Sequence, residues 1–431
     1  MSSPFKHTLS QRIALWAYTL LLALLVPVLA IYNVVKVLTK ADGYDKKRLE
    51  RFGILKSDMQ QSDLWIHCVS VGEVVAASPL IEKLLKQNNL KITITTTTYT
   101  GYQRVIQSFD RRVQHSYLPY DFPLFMALLL NRLKPSAILI TEVELWPNLV
   151  HQAWLKSIPT LVINARMTNK SCKSYSKLSA LFSPMLQKLE HACAQGQRDF
   201  DNYLELGIPP QKLTLTNNMK FDLQSHADST IKDELITEYQ LEGKRVFLAG
   251  STHDPEENVI LDAYENFLAK YPDLALLIVP RHPQRFDSVY QLCEKRSLTL
   301  CRASENITAD ANVILVDKMG VLSKLYQVAD FAFIGGSIAP RGGHNALEAA
   351  AYAVPSIMGS SRHNNPEICE ALKESGGLKT TDTAKEMEHV ILEWLSNPKQ
   401  ATDLGQSGRK VIETNSGAVQ KTLELINATI H

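Results

Sequence analysis

A glutamate stands at each of two places where an apolar run gives way to a helical pattern. Glu73 lies in HCVSVGE (67–73), between the run Leu64 to Val71 and a stretch whose Val74, Val75, Leu80, Ile81, Leu84 and Leu85 suit one buried helix face. Glu142 and Glu144 follow the run 136–141 in TEVELWPN. Ligands of open parallel sheets bind at the carboxyl ends of the strands, so both places suit acid–base work. Backbone N–H groups at a helix start favour the carboxylate form and weaken a base there. Glu73 as general base therefore requires partial burial or a nearby anion as counterweight. The alternative is a glutamate that only complements the helix dipole. In an extended chain Glu142 and Glu144 point to opposite sides, which leaves one of them toward a ligand. Alternatively both are capping or solvated acids before a helix starting near Pro147.

Cations occupy comparable positions. Arg166, Lys170, Lys173 and Lys177 in NARMTNKSCKSYSK follow the run 158–163. They suit a phosphate-bearing or acidic ligand, or simply form a solvated face. Lys220 lies in NNMKFD, and Arg281-His282-Pro283 follows the run 274–279. Arg281 could bind phosphate in two-point fashion; His282 is a proton donor or a structural histidine. The richest segment is 334–350, IGGSIAPRGGHNALEAA, in which Gly335-Gly336 and Gly342-Gly343 flank a loop. Such loops expose backbone N–H groups to an anion, and Glu348 stands where a ribose hydroxyl could be met. It is neither a Walker A sequence nor G-x-G-x-x-G, and no H-E-x-x-H, C-x-x-C or G-x-S-x-G signature appears.

The elements needed to position these groups alternate along the chain. Predicted strands are 64–71, 91–97, 113–118, 136–141, 158–163 and 190–195, with helices at 74–87, 101–108, 123–133 and 146–156 between them. A polar stretch, 223–244, is the expected domain boundary. A second block follows with strands 245–250, 274–279, 297–301, 312–316, 330–334 and 354–358 and helices 255–270, 284–295, 319–328, 343–352, 364–375 and 383–396; the stretch 400–428 is helical with one polar face. This reads as α/β, two doubly wound parallel sheets, each covered on both faces. At 431 residues the chain exceeds one ordinary core. Its 46 basic and 44 acidic residues nearly balance, which disfavours bulk nucleic-acid binding. Six scattered cysteines fit a reducing compartment rather than a disulfide framework.

Residues 13–35 carry no charge and are long enough to cross a bilayer core. Arg12 and Lys36 bracket them, Trp16 and Tyr32 sit near the ends, and Pro27 is tolerable in such a helix. An uncleaved signal-anchor transmembrane helix is expected, since no A-x-A-like cleavage site follows. Lys36, Lys40, Lys46, Lys47, Arg48, Arg51 and Lys56 lie beyond the span and only Lys6 and Arg12 before it. That asymmetry places the body of the protein in the cytoplasm, and the cluster is a topology signal or a contact for anionic lipid. The expected division is an anchor over 1–36, one domain over 37–225 and a second over 226–431.

Nine segments together resemble the Kdo transferases, the membrane-anchored enzymes of lipopolysaccharide inner-core synthesis. They are HCVSVGE (67–73), LPYDFP (118–123), EVELWPN (142–148), NARM (164–167), MKFD (219–222), STHDPEE (251–257), VPRHPQRF (279–286), DKMG (317–320) and GGSIAPRGGHNALEAAA (335–351). The resemblance covers nearly the whole chain. It implies the two-Rossmann glycosyltransferase fold called GT-B, with an acceptor-binding amino-terminal domain and a donor-binding carboxy-terminal domain. It implies CMP-Kdo as donor, lipid IVA (the lipid A precursor) as acceptor, inversion at the anomeric centre, and neither metal nor cofactor. Glu73 matches the family's general base, and Glu142 and Lys220 match positions that stabilise the transition state. Pro280, Arg281, Met319, Gly320, Val321, Asn345, Ala346, Leu347 and Glu348 match the CMP-contacting segments. Glu144, Arg166, Gly335 and Gly336 are further candidates for substrate contact. The sequence departs from the family at Val321, where relatives often carry an acid, and at Asn217-Asn218, where a small residue or glycine is common.

The implied location is the cytoplasmic face of the bacterial inner membrane, with membrane lipid as a partner. Two rival readings keep the fold. One is another GT-B transferase, or an epimerase, that uses a UDP-sugar; the other is a membrane-tethered binding protein with a degenerate site, which the charged groups at several strand ends disfavour.

Overall fold

The computed structural model describes residues 5–39, 46–88, 90–222, 228–296 and 298–430. Lys40, residues 223–227 of the expected boundary 223–244 and the first residue of the expected strand 297–301 lie outside them. Two compact units divide the chain: Met1–Asp222 with Ser416–His431, and Leu223–Asn415.

The first unit is built on a parallel sheet of β1 (Leu64–His67), β2 (Ile92–Thr96), β3 (Gln114–Tyr117), β4 (Ala137–Thr141), β5 (Thr160–Ala165), β6 (His191–Ala194) and β7 (Leu213–Leu215). Their order is β3-β2-β1-β4-β5-β6-β7. Strand side chains alternate between faces, and both faces here are apolar. Leu64, Ile66, Leu139, Leu161 and Ile163 pack with Val74, Leu80, Ile81 and Leu84 of the helix Val71–Asn88. Trp65, Ile138, Ile140 and Val162 pack on the other side with the helices Pro123–Leu133 and Pro147–Leu155. Each fully buried Leu or Ile contributes about 1.5–3 kcal/mol by removal of apolar surface from water. Chain order runs outward in both directions from the β1/β4 pair, so these two strands form the switch point at which a crevice opens at the carboxyl edge.

The second unit repeats the plan with β8 (Arg245–Thr252), β9 (Leu274–Pro280), β10 (Leu300–Arg302), β11 (Val313–Leu315), β12 (Phe331–Ile334), β13 (Ser356–Met358) and β14 (Leu378–Thr380). Their order is β10-β11-β9-β8-β12-β13-β14, so β8 and β12 are its switch pair. Gly335 follows β12 directly, and a Cβ there would lie 2.1 Å from the Ser251 carbonyl oxygen. Only glycine lets these two strand ends approach so closely.

Several features differ from the expected elements, among them the helices Asn169–Ser176, Ser179–Lys188 and Gln197–Glu205, and Ser229–Glu238 inside the expected boundary 223–244. The short edge strands β7 and β14 carry too few residues for a periodic signal. The helical stretch 400–428 is broken at Ser416-Gly417, into Pro398–Asn415 and Ala418–Ile430, with Gly417 at φ +97°. Its second half, grouped by sequence with the second domain, places Val419, Leu423 and Ile426 in the core of the first unit.

The Leu9–Leu38 helix is the one described helix long and apolar enough to cross a membrane. Thr8 caps its start: the Gln11 N–H donates to Thr8 Oγ1 and the Thr8 N–H donates to Gln11 Oε1. Tyr18 Oη donates to Asp121 (2.9 Å), Thr19 Oγ1 to Asn148 (3.2 Å) and Asn33 Nδ2 to Tyr120 Oη (3.0 Å). The opposite side leaves Leu9, Trp16, Leu20, Leu24 and Ile31 exposed.

The terminal helix is clipped to the first unit by Asp222, whose carboxylate accepts from the N–H groups of Gly417 and Val419 at 2.5 Å each. Asp222→Ala removes both acceptors from a helix start. It is expected to cost about 1–2 kcal/mol in urea unfolding. Amide exchange should quicken first in 418–430.

Candidate active site

Glu73 sits in the first turn of the helix that follows β1, and its side chain folds back into the crevice beside β4. Its Oε2 accepts from the Val69 N–H (2.8 Å) and from Thr141 Oγ1 (2.5 Å), the last residue of β4. Only 8% of the residue is exposed. Burial pushes its carboxyl up to about 7, against the pull of the Thr141 and Val69 hydrogen bonds, and the charges of Glu142 and Glu144 add to the rise. Both counterweights required of a base at a helix start are therefore present.

Thr141 gives this carboxylate a way to change protonation state. Its hydroxyl lies 2.5 Å from Glu73 Oε2 and 2.8 Å from the His67 carbonyl oxygen, yet it has one proton to give. When Glu73 is ionised the hydroxyl donates to it. When Glu73 is protonated the carboxyl O–H can donate to Thr141, whose own proton turns to His67. Neither state leaves a buried polar atom unpaired at this contact.

The chain does not stay extended after β4. Glu142 takes φ +53°, and the Leu145 N–H reaches the Val143 carbonyl at 2.7 Å. The expected alternation of Glu142 and Glu144 therefore fails, and both raise Glu73 electrostatically. The Glu142 carbonyl accepts from the Arg166 N–H at 3.3 Å, which joins β4 and β5 at the same edge.

The cationic run separates into two parts. Arg166, next after β5, is partly buried with its Nε shielded and unpaired among the described residues. Lys170, Lys173 and Lys177 are exposed at the helix Asn169–Ser176 and its cap. Lys220 lies on the single turn Met219–Phe221, which packs on the Glu73 helix. Asn217 takes φ +72°, a conformation open to glycine and to asparagine. Asn218 Oδ1 accepts from the Lys220 N–H, and Asn164 Oδ1 from the Met219 N–H, both at 3.0 Å. Asn217 and Asn218 thus shape the turn that carries Lys220.

In the second unit the glycine-rich loop spends its donors differently from the expected phosphate cradle. Glu256, fully buried, accepts from the N–H groups of Gly336 (2.8 Å), Ser337 (2.8 Å), Ile338 (3.0 Å) and Ala339 (3.2 Å), and from that of His253 (2.8 Å). The Gly335 N–H reaches the Gly250 carbonyl oxygen and the His344 N–H that of Gly335. Gly335 and Gly336 therefore act through backbone shape and through Glu256.

Cationic and imidazole side chains gather beside this loop. His253 Nε2 and His344 Nε2 are 2.9 Å apart, and the His282 ring lies 5.3 Å from that of His253. Burial, then the charge of Arg281, lowers His344 to about 4. Arg281 follows Pro280 at the end of β9, and its charge opposes the rise that burial gives Glu348. Asn345 Oδ1 accepts from the Leu347 N–H, and Ala346 and Leu347 are buried. Met319 and Gly320 are exposed, with Val321 beginning the turn Leu322–Leu325.

Thr141, Glu256, His253 and His344 were not marked by sequence. Each acts through a partner tens of residues away. The sequence also contains an Asp-x-Asp triplet, Asp199-Phe200-Asp201. Asp199 is structural: buried, it accepts from the Met167 N–H at 2.6 Å and pairs with Arg198. Among the described residues no group of three or more His, Cys, Asp or Glu is placed to hold a metal ion.

The family model described as 3-deoxy-D-manno-octulosonic-acid transferase (kdotransferase) matches residues 46–223, and that of glycosyl transferases group 1 matches 235–411. A 3-deoxy-D-manno-octulosonic acid transferase of Haemophilus influenzae is 37% identical over 393 residues, 90% of this chain and 92% of that one. Its counterpart in Rickettsia bellii is 29% identical, over 95% of this chain and 98% of its own. Among solved structures, the UDP-GlcNAc 2-epimerase of Neisseria meningitidis aligns at TM-score 0.58 and 16% identity over 85% of this chain and 99% of that one. A glycosyltransferase of Rickettsia africae aligns at 0.56 and 15%, over 86% and 99%. These two show the fold.

The raised carboxyl of Glu73 has a stability consequence. An unfolded glutamate ionises near 4.5, and the folded one only near 7. Between those values the folded state holds the extra proton, so this contribution to stability falls as pH rises. Glu73→Gln lacks the titration. Its stability relative to the parent should improve by on the order of 2 kcal/mol from pH 4.5 to pH 8, read from urea midpoints. A constant difference across that range would show that Glu73 does not titrate near neutrality.

Proposed function

The chain belongs to the 3-deoxy-D-manno-octulosonic acid (Kdo) transferase family, glycosyltransferases of GT-B architecture, and from that premise we propose that it moves Kdo from CMP-Kdo to lipid IVA with inversion and without a metal. The observation that carries the reading is Glu73, a carboxylate held near neutrality at a switch point and supplied with a hydroxyl partner suited to both its protonation states. In the reaction an acceptor hydroxyl attacks the anomeric carbon of Kdo, its proton passes to Glu73, and the bond from that carbon to the CMP phosphate oxygen breaks. A base with pKa near the working pH suits this transfer. Glu142 and Lys220 are assigned to transition-state charge. Arg166 is assigned to an anionic group of the substrates, because its shielded Nε lacks a protein partner among the described residues.

Arg281, with the His253–His282–His344 group beside it, is assigned to the charge that collects on the departing CMP phosphate. Pro280, Met319 to Val321 and Asn345 to Glu348 are assigned to the rest of CMP, with Glu348 toward the ribose. The Leu9–Leu38 helix is assigned as the inner-membrane anchor, with the body of the enzyme on the cytoplasmic face, where the flanking cations favour it. It would hold the first unit where a lipid acceptor resides.

Mass spectrometry of lipid IVA after incubation with CMP-Kdo and chelator is the direct test. The expected product is heavier by one or more Kdo units. Glu73→Ala should lower turnover by at least ~100-fold. A variant with full turnover would remove Glu73 as base. Thr141→Val deletes a hydrogen bond that lowers the Glu73 pKa, so the acid limb of kcat/KM, expected near pH 7, should move to higher pH. No mass gain, together with thermal stabilisation by UDP rather than CMP, would favour the UDP-sugar reading.

A further inference from the structure

The glycine-rich loop after β12 is shaped like an anion site, and its anion is part of the chain. Four successive N–H groups, from Gly336 to Ala339, point at one carboxylate that comes from 80 residues earlier. Three of them share Glu256 Oε1; Gly336 shares Oε2 with the His253 N–H. None of these five donors can accept a hydrogen bond, so a protonated carboxyl would present its own O–H to a ring of donors. Burial raises the carboxyl above its ordinary range, and these donors work against it by favouring the carboxylate form.

The same contact fixes the imidazoles. Glu256 holds the His253 backbone, and the His253 ring lies nearly parallel to that of His344 at 5.2 Å between centroids. His344 belongs to the glycine-rich loop and is anchored through its N–H to Gly335. Glu256 thus ties the end of β8 to the loop after β12 at both its margins. Arg281, which influences His344 and Glu348, is joined to the same place through its N–H on the Thr252 carbonyl oxygen at 3.1 Å.

We infer that Glu256 is a positioning residue for the donor: its carboxylate fills the backbone cradle of the glycine-rich loop, so that the donor's anionic groups are met by Arg281 and the His253–His282–His344 group instead. This rests on assigning the second unit to CMP-Kdo. Loss of the carboxylate would leave four converging N–H groups without a partner and let the loop relax. The cradle would also be opened to a small exogenous anion.

Full-length protein in detergent carrying Glu256→Ala or Glu256→Gln is assayed for donor and acceptor KM, with and without formate. The donor KM should rise ~100-fold in both variants, and the acceptor KM should stay within about two-fold. In Glu256→Ala, formate at ~50 mM should recover at least ~10-fold of the donor use and raise the melting temperature. It should do neither for Glu256→Gln, whose amide still fills the space. A purely structural role would not separate the two substrates. Wild-type donor KM in either variant, or an equal loss for both substrates untouched by formate, would overturn the inference. If Glu256→Ala fails to fold, recovery of folded protein on refolding in formate supports it, and no recovery overturns it. If the parent neither binds CMP nor uses CMP-Kdo, the donor assignment falls. The response of the Glu256→Ala melting temperature to formate then decides the cradle by itself.

Discussion

Burial of one carboxylate, balanced against the donors it retains, is the constraint on which the first unit depends. A glutamate at a helix start in water would be a poor base, because the nearby N–H groups favour its ionised form. Here desolvation outweighs one backbone donor and one hydroxyl, and the carboxyl rises to about 7. That balance needs the β1/β4 switch pair. β1 delivers the turn that carries Glu73, β4 delivers Thr141, and the two strands are hydrogen-bonded neighbours although 68 residues separate the two side chains. It also needs the left-handed Glu142, which turns the chain so that two further acids lie near enough to be felt. The apolar faces of the sheet exist, in this sense, to hold a small polar geometry at their edge.

The second unit sets an analogous residue in an opposed environment. Glu256, like Glu73, stands in the first turn of the helix that follows a strand at a switch pair. Glu73 meets one backbone N–H and a hydroxyl that can reverse its hydrogen bond; Glu256 meets five backbone N–H groups that cannot. One site can take up a proton at little cost. The other would leave an O–H facing donors. The two carboxyls therefore differ in their partners, one beside a hydroxyl that can reverse and one inside a ring of backbone donors, although burial raises both.

Much of this was legible along the chain and some was not. The long apolar strands, the helices packed on them and the glutamate at the first hinge all follow from local periodicity, which needs no knowledge of neighbours. The lysines of the run 170–177 face solvent while Arg166 turns inward, a distinction that charge alone does not make. The glycine-rich loop was read as open to a phosphate because its spacing exposes N–H groups. What fills it is a residue whose place follows only from the pairing of β8 with β12. Thr141 and the His253–His344 pair were hidden for the same reason: each matters through a register that sequence spacing does not display.

The amino-terminal helix extends this dependence to the membrane assignment. An apolar helix surrounded by lipid has no use for hydroxyl and amide side chains along one stripe, and leaving them unpaired there is costly. Tyr18, Thr19 and Asn33 lie on the stripe that faces the first unit and meet Asp121, Asn148 and Tyr120. Asp121 also accepts from the N–H groups of Asn148 and Leu149 at the start of the helix Pro147–Leu155. That helix follows β4 through the turn containing Glu142 and Glu144. A side chain of the proposed anchor is thus linked, through one buried carboxylate, to the segment that sets the electrostatics of Glu73. On this reading the helix does more than tether. Its polar stripe is the part of an otherwise apolar segment that binds it to the first unit.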